Sequence, residues 1–299
     1  MGDRSMHADE VIVSASMVRG LLRAQFPQWA ALPLDRVEAA GTSNAMFRLG
    51  EDLVVRLPRT PGAAGDVAKE HHWLPRLAPP LPVAVPVPLG RGAPGEGYPW
   101  SWSVYRWLDG ENPTTGRVER PDLLAVDLAA FIDALRRTDP ADGPPSYRGE
   151  PLATRDAGTR AAIGKVHGLV DTEAATAAWD SALRAPAWSG PPTWIHGDLQ
   201  PGNLLTVGGR LGAVIDFGCL GLGDPAVDLI AAWYVLPADA RKVFRAATTD
   251  DDSHWARGRG WALSIALNEL WYYRETNPTM AGIARHVIDQ ILTDHAHAG

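Results

Sequence analysis

The stretch His196-Gly197-Asp198-Leu199-Gln200-Pro201-Gly202-Asn203 sets an aspartate five positions before an asparagine in a segment rich in glycine and proline. That composition makes a tight loop rather than a helix or strand. On such a loop Asp198 can take the proton of a hydroxyl group and aim its oxygen, while Asn203, pointing back from the same turn, offers an amide oxygen to a divalent cation. His196 reads as a structural member of the loop rather than an acid or base.

Downstream, Val214-Ile215-Asp216-Phe217-Gly218 is a short apolar run that ends in an aspartate and a flexible turn. A buried strand can hold such a carboxylate rigidly at its end. Asp216 follows Asp198 by 18 positions (216 − 198), which suits a loop, a hairpin and a return to the same site. Taken alone, Asp216 also reads as the cap of a strand. In this order the two motifs have the spacing of a phosphoryl-transfer site, with Asp198 as base and Asn203 and Asp216 as ligands of Mg²⁺ on nucleotide phosphates.

Upstream, apolar segments at 34–40, 46–49 and 53–58 are separated by Gly41-Thr42-Ser43-Asn44 and Gly50-Glu51-Asp52, the spacing of an antiparallel meander. Alternation puts Leu53, Val55 and Leu57 on one face and Arg56 on the other. A helix beginning near Asp66 carries Glu70, Trp73, Leu74 and Leu77 on one face, with Pro75 expected to end or kink it. Glu70 on that apolar face calls for a partner, and Arg56 is the natural one. A surface Arg56 beside a solvated Glu70 is the alternative, with Lys69 as the spare cation. The run Gly90-Arg91-Gly92-Ala93-Pro94-Gly95 matches G-x-G-x-x-G, but Glu96-Gly97-Tyr98-Pro99 follows instead of a helix, so it reads as a hairpin loop and not a dinucleotide site.

From Pro121 onward helical periodicity dominates, interrupted by a hairpin at 204–207 and 211–217 around Gly208-Gly209. Trp255, Ala262, Leu263, Ala266, Leu267, Leu270 and Trp271 form one apolar face of a late helix, and Ile283, Val287, Ile288, Ile291 and Leu292 that of the last. On the opposite side of the first of these, Glu269 and Asn268 join Trp261, Ile265 and Tyr272 as a candidate wall for an amphipathic substrate. The same aromatics also read as core. Asp250-Asp251-Asp252 reads as a helix cap with charge matched to the dipole.

The chain has 45% hydrophobic and 21% charged residues and a net charge of −7. That excess of acid argues against a nucleic-acid partner and mildly favours a cationic substrate. The single cysteine, Cys219, cannot form an internal disulfide. Nothing reads as a signal sequence and no apolar run approaches the roughly 20 residues of a spanning helix, so a cytoplasmic protein without a membrane partner is expected. Met6 reads as a possible native start.

The motifs at 196–203 and 215–218, with Gly223-Asp224-Pro225-Ala226-Val227-Asp228-Leu229, resemble those of the aminoglycoside phosphotransferase family, and the resemblance extends over nearly the whole chain. It implies an α+β, two-lobe protein-kinase-like fold: residues 1–108 as an N-lobe with an antiparallel sheet and one helix, residues 109–299 as a mainly helical C-lobe, and ATP or GTP in the cleft between them. It further implies that Asp228 braces the catalytic loop, with Asp224 as a helix cap. Arg56 stands where the family commonly has a phosphate-binding lysine, paired with Glu70, and Thr42, Ser43 and Asn44 form a glycine-poor phosphate loop. The implied activity is transfer of the γ-phosphoryl group to a hydroxyl of an aminoglycoside-like small molecule. A macrolide, choline-like amine, amino acid or sugar acceptor, or a nucleotide-binding pseudokinase, are the other readings. A protein kinase is disfavoured, because Gly218 to Asp224 leaves no room for an activation loop and no Ala-Pro-Glu follows.

Overall fold

In a computed structural model describing residues 10–37, 43–114, 118–248 and 250–298, the chain divides into two units. The first takes the chain to residue 79, residues 83–110 and the short run 213–218; the second takes 80–82, 111–212 and 219 onward.

The first unit opens with α1 (Ala15–Gln25), whose N-terminus is capped by the Ser14 hydroxyl accepting from Met17 N–H. It continues through β1 (Leu34–Val37), β2 (Asn44–Leu49), β3 (Leu53–Pro58), the single turn α2 (Pro61–Ala64), α3 (Asp66–Leu77), β4 (Pro88–Gly92) and β5 (Trp102–Arg106). The strands form one antiparallel sheet in the order β1-β2-β3-β5-β4. Alternation decides which side chains leave each face. Phe47, Leu49, Val55, Leu57 and Val104 join Val18, Leu21 and Leu22 of α1 in one buried cluster. Arg56 leaves the opposite face.

Two local expectations change. Helix α3 runs through Pro75 to Leu77. So close to the C-terminus the missing N–H forfeits a single bond, and Ala78 N–H closes the last turn on the Leu74 carbonyl at 2.9 Å. The first three residues of the G-x-G-x-x-G run belong to β4 rather than to a loop. Their glycines serve packing: a Cβ on Gly92 would stand 2.0 Å from the Trp102 ring. Helix α1 is an addition to the single helix expected of this part of the chain.

The second unit contains α4 (Pro121–Arg137), α5 (Asp156–Lys165), α6 (Thr172–Leu183), β6 (Thr193–Ile195), β7 (Leu204–Val207), most of β8 (Arg210–Val214), β9 (Gly221–Gly223), α7 (Ala231–Tyr234), α8 (Ala238–Thr248), α9 (Asp252–Tyr273) and α10 (Pro278–Ala298). β6 pairs with β9, and β7 with β8 through Gly208 and Gly209, both at positive φ. Helix α9 is the hub, packed by α5, α6 and α10. It is buried over most of its circumference, so its amphipathic reading fails: Trp261 and Ile265, expected on the substrate side, are 0% and 3% exposed, whereas Trp271 is 36% exposed. Arg257 of α9 is buried and donates through Nε to Asp224 Oδ2 at 2.8 Å and through Nη1 to the Pro186 carbonyl at 2.7 Å. Asp224 also caps the 3-10 turn Pro225–Ile230 by accepting from Ala226 N–H.

Backbone approach is closest where β9 meets the turn at 147–149. A Cβ on Gly223 would lie 2.3 Å from Gly149 Cα. Gly223→Ala should therefore destabilise the protein by ~1–3 kcal/mol or more through overpacking. Gly158→Ala in α5, where an added Cβ meets nothing within 4 Å, should stabilise it by up to ~1 kcal/mol through helix propensity. Urea unfolding of the two variants checks both signs.

Candidate functional site

Strand β6 delivers the chain to His196, and from there one buried carboxylate shapes the loop. Asp228, 0% exposed, accepts from His196 N–H at 3.0 Å and from Gly197 N–H at 2.7 Å. Burial pushes the Asp228 carboxyl up from its ordinary value, against the His196 side chain and the two backbone donors, which favour the ion. Gly197 sits at φ +80°, a conformation that suits glycine, with Arg148 and Cys219 packed where a side chain would go. His196 is fully buried, and its Nδ1 accepts from Asp198 N–H at 3.2 Å.

The loop presents Asp198 with both carboxylate oxygens held by side-chain amides. Oδ1 accepts from Gln200 Nε2 at 3.1 Å and Oδ2 from Asn203 Nδ2 at 2.9 Å. Asn203 Nδ2 also donates to the Asp198 carbonyl at 2.9 Å. The exit of the loop is tied by Asn112, whose Nδ2 donates to the carbonyls of Pro201, Gly202 and Leu204. Asn112 sits in a turn-like connector, Asp109 to Pro113, with nothing in the sequence to single it out.

Gln200 Nε2 also donates to Glu269 Oε1 at 2.7 Å, and Tyr234 OH donates to Glu269 Oε2 at 2.7 Å. Burial pushes the Glu269 carboxyl up to about 7, against the two hydrogen bonds, with the Asp198 charge adding to the rise. Arg148 Nη2 stands 3.9 Å from Asp198 Oδ1. Burial disfavours the Arg148 charge, but Asp198 leads the neighbours that outweigh it and hold the guanidinium above its ordinary value. Of the remaining substrate candidates, Asn268 Nδ2 donates to the Ser264 carbonyl at 2.7 Å, Tyr272 is 40% exposed and Trp261 is sealed in the core.

In the first unit the corresponding centre is Arg56. Opposite Met46 and Ser103 in the register, it leaves the sheet toward α3. Its Nη1 donates to both oxygens of Glu70, at 2.7 and 2.8 Å, and its Nη2 to Asp216 Oδ1 at 2.5 Å. Tyr105 OH also donates to Glu70. With the Asn44 amide oriented by the donors around it, its oxygen accepts from Arg56 Nε and Nη2 at 3.2 and 2.9 Å. Burial works against the Arg56 charge, but Asp216 and then Glu70 outweigh it and hold the guanidinium well above its ordinary value. Lys69 pairs with Asp66 at 3.1 Å and donates to the Gly218 carbonyl. Asp216 adopts φ +59°, a left-handed conformation that aspartate tolerates better than most residues, and its side chain is 40% exposed. Ser43 receives Arg59 N–H on its carbonyl at 2.8 Å, while Thr42 lies outside the described residues.

Among the described residues no group of three or more His, Cys, Asp and Glu side chains forms a metal cage. A carboxylate at Asp216 and an amide oxygen at Asn203 are the hard oxygen donors suited to Mg²⁺, which takes one or two protein ligands and completes its shell with water and substrate phosphate. The donor chemistry of these residues fits that ion.

A five-stranded antiparallel sheet with its helices, followed by a mainly helical unit carrying an Asp–Asn loop, defines a protein-kinase-like fold. Residues 36–261 match the phosphotransferase enzyme family, and the chain belongs to it: it is a phosphotransferase. Its fold is similar to the GDP complex of wild-type aminoglycoside 2'-phosphotransferase-IIIa, with a TM-score of 0.76 at 20% identity over 95% of this chain and 100% of that one. ADP-bound aminoglycoside phosphotransferase APH(2'')-Ib gives 0.60 at 14% identity, over 92% and 99%. Macrolide 2'-phosphotransferase MphH from Brachybacterium faecium gives 0.61 at 22% identity, over 91% and 97%. No curated protein is a significant match.

Glu70 is 1% exposed and depends on Arg56 for its charge balance. Arg56→Met should cost about 3–5 kcal/mol of stability, since it strands a buried carboxylate. Adding Glu70→Gln should recover a large part of that loss, and a double-mutant cycle in urea showing simple additivity would contradict the pairing.

Proposed function

We propose that the protein transfers the γ-phosphoryl group of ATP or GTP to a hydroxyl of an aminoglycoside-like antibiotic or a related hydroxylated small molecule. The observation that carries this reading is the presentation of Asp198: both carboxylate oxygens are fixed by amide donors on a backbone pinned by Asp228. A carboxylate held in this way can accept the hydroxyl proton and orient the nucleophile without reorganising.

In this proposal Asp198 is the base, and Asn203 and Asp216 hold Mg²⁺. The ion, when bound, neutralises charge on the phosphates during transfer. Arg56, kept charged by Asp216 and Glu70, takes the phosphate-binding role usual for a lysine; a guanidinium can meet phosphate oxygens bidentately. Thr42, Ser43 and Asn44 form the phosphate loop, and His196 and Asp228 support the catalytic loop. Of the sequence candidates on α9, Asn268 and Tyr272 are the side chains proposed nearest the acceptor, while Trp261 is sealed in the core and Glu269 is hydrogen-bonded to Gln200 and Tyr234.

The likeness to aminoglycoside phosphotransferases and the net charge of −7 favour an amine-bearing acceptor. The likeness to a macrolide phosphotransferase supports a second acceptor class, the macrolides. Donor choice stays between ATP and GTP, since both ADP and GDP occur in the similar structures. A pseudokinase is disfavoured because Asp198, Asn203 and Asp216 are all present. No helix among the described residues is long and apolar enough to cross a membrane. We place the enzyme in the cytoplasm, acting on a small molecule with neither nucleic acid nor membrane as partner.

The test is a panel of aminoglycosides, macrolides and metabolite alcohols incubated with Mg²⁺ and either nucleotide, with phosphorylated product read by mass spectrometry. An antibiotic from one class should gain a single phosphoryl group. Phosphorylation of a metabolite alone would replace the antibiotic by a metabolic alcohol as the acceptor. No product from any alcohol, with Mg²⁺-dependent nucleotide binding intact, would favour the pseudokinase.

A further inference from the structure

Gln200 has one side-chain nitrogen with two hydrogens, and both are committed: one to Asp198 Oδ1 at 3.1 Å, the other to Glu269 Oε1 at 2.7 Å. The second oxygen of Glu269 is taken by the Tyr234 hydroxyl at 2.7 Å. Tyr234 is 0% and Gln200 8% exposed. Each Glu269 oxygen thus faces a protein donor, which is the arrangement of a carboxylate ion and not that of a group reaching for an acceptor. We infer that Glu269 is a positioning residue that acts on Asp198 through the side-chain amide of Gln200, with Tyr234 as its anchor.

The physical basis is the polarity of the amide. A glutamine side chain presents NH₂ on one side and C=O on the other, and turning it exchanges donors for an acceptor. Ionised Glu269 accepts hydrogen bonds only, so it fixes the NH₂ between the two carboxylates and keeps a donor on Asp198. When Glu269 takes up a proton from solvent it becomes a donor itself. It then favours the amide oxygen of Gln200, and rotation of that amide replaces the donor facing Asp198 by a lone pair. The catalytic carboxylate is left held by Asn203 alone.

The charged and titratable groups facing Glu269 are Tyr234 from α7, Asp198 from the catalytic loop and Arg148 from the 3-10 turn Tyr147–Gly149. Burial and the Asp198 charge favour the neutral acid, while the two hydrogen bonds and Arg148 favour the ion. The balance lies at about 7, so the relay changes state near neutral pH. The sign follows: the transfer rate rises with pH through this region as Glu269 ionises.

This inference rests on Asp198 being the base, and the experiment separates the two. With an acceptor from the panel, Glu269→Gln should lower kcat by ~10- to 100-fold, the scale of a misplaced catalytic group. KM for nucleotide and acceptor should change little, and the rise of kcat near pH 7 should disappear. Tyr234→Phe removes a hydrogen bond that favours the ion, so it should move that rise to higher pH. A raised acceptor KM with unchanged kcat in Glu269→Gln would overturn the inference and place Glu269 against the substrate. Carboxyl ¹³C NMR of Asp198 gives a readout that needs no turnover. Wild type should show an inflection near pH 7 that is absent from Glu269→Gln. No such inflection in wild type overturns the relay; an inflection without product from any alcohol leaves the relay standing and removes the proposed activity.

Discussion

Two backbone N–H groups ending on the buried carboxylate of Asp228 are the constraint on which the rest of the catalytic loop depends. Without them the peptide units of His196 and Gly197 would be buried donors with no acceptor, a penalty of about 1–3 kcal/mol each. With them the chain can turn through Gly197 at φ +80° and emerge with Asp198 pointing out. Asn112 performs the matching task at the exit by donating to the carbonyls of Pro201, Gly202 and Leu204. The loop is thereby clamped by one acceptor at its entrance and one donor at its exit, which holds Asp198, the proposed base, in place.

Charge balance shapes the first unit in a similar way. Arg56 is a cation at 12% side-chain exposure, with Glu70 on one side and Asp216 on the other. Glu70 takes Nη1 and Asp216 takes Nη2, with the Asn44 amide oxygen completing the set, so the planar fork meets several acceptors at once. Asp216 is drawn into the group at a left-handed backbone angle, which is the kind of local strain that collects at functional sites. The sheet contributes position and α3 contributes the counter-charge.

Much of this was legible in the residues. Strand β3 is bounded by Gly50-Glu51-Asp52 and by Pro58, and the side on which Arg56 emerges, opposite Val55 and Leu57, follows from the alternation of side chains along a strand. The Asp–Asn loop and the hairpin after it are marked by glycine and proline. What escaped did so for physical reasons. In α1 only Val18, Leu21 and Leu22 are fully buried, too short an apolar stripe to stand out among arginines and alanines. In α9 the amphipathic rule assumes one solvent face, and the helix has almost none, so the periodicity points Trp261 to a substrate wall although it belongs to the core. Asn112 and Arg148 gained their positions from tertiary contacts with no local pattern. Glu269 stands out on its helix, but its bond to Gln200 joins residues 69 positions apart, beyond any periodicity.

The central claim is that Asp198 performs the chemistry in a phosphotransferase whose fold and nucleotide binding do not need its charge. The direct measurement is Asp198→Asn, with Mg²⁺-dependent nucleotide affinity by calorimetry and phosphorylated product by mass spectrometry on the same preparation. An amide keeps the shape and can still hydrogen-bond a hydroxyl, but it cannot take the proton, and positioned acid-base catalysis contributes typically ~10²–10⁴-fold. The account predicts near-wild-type nucleotide affinity with product formation reduced by at least about that factor. Product formed at close to the wild-type rate would contradict it.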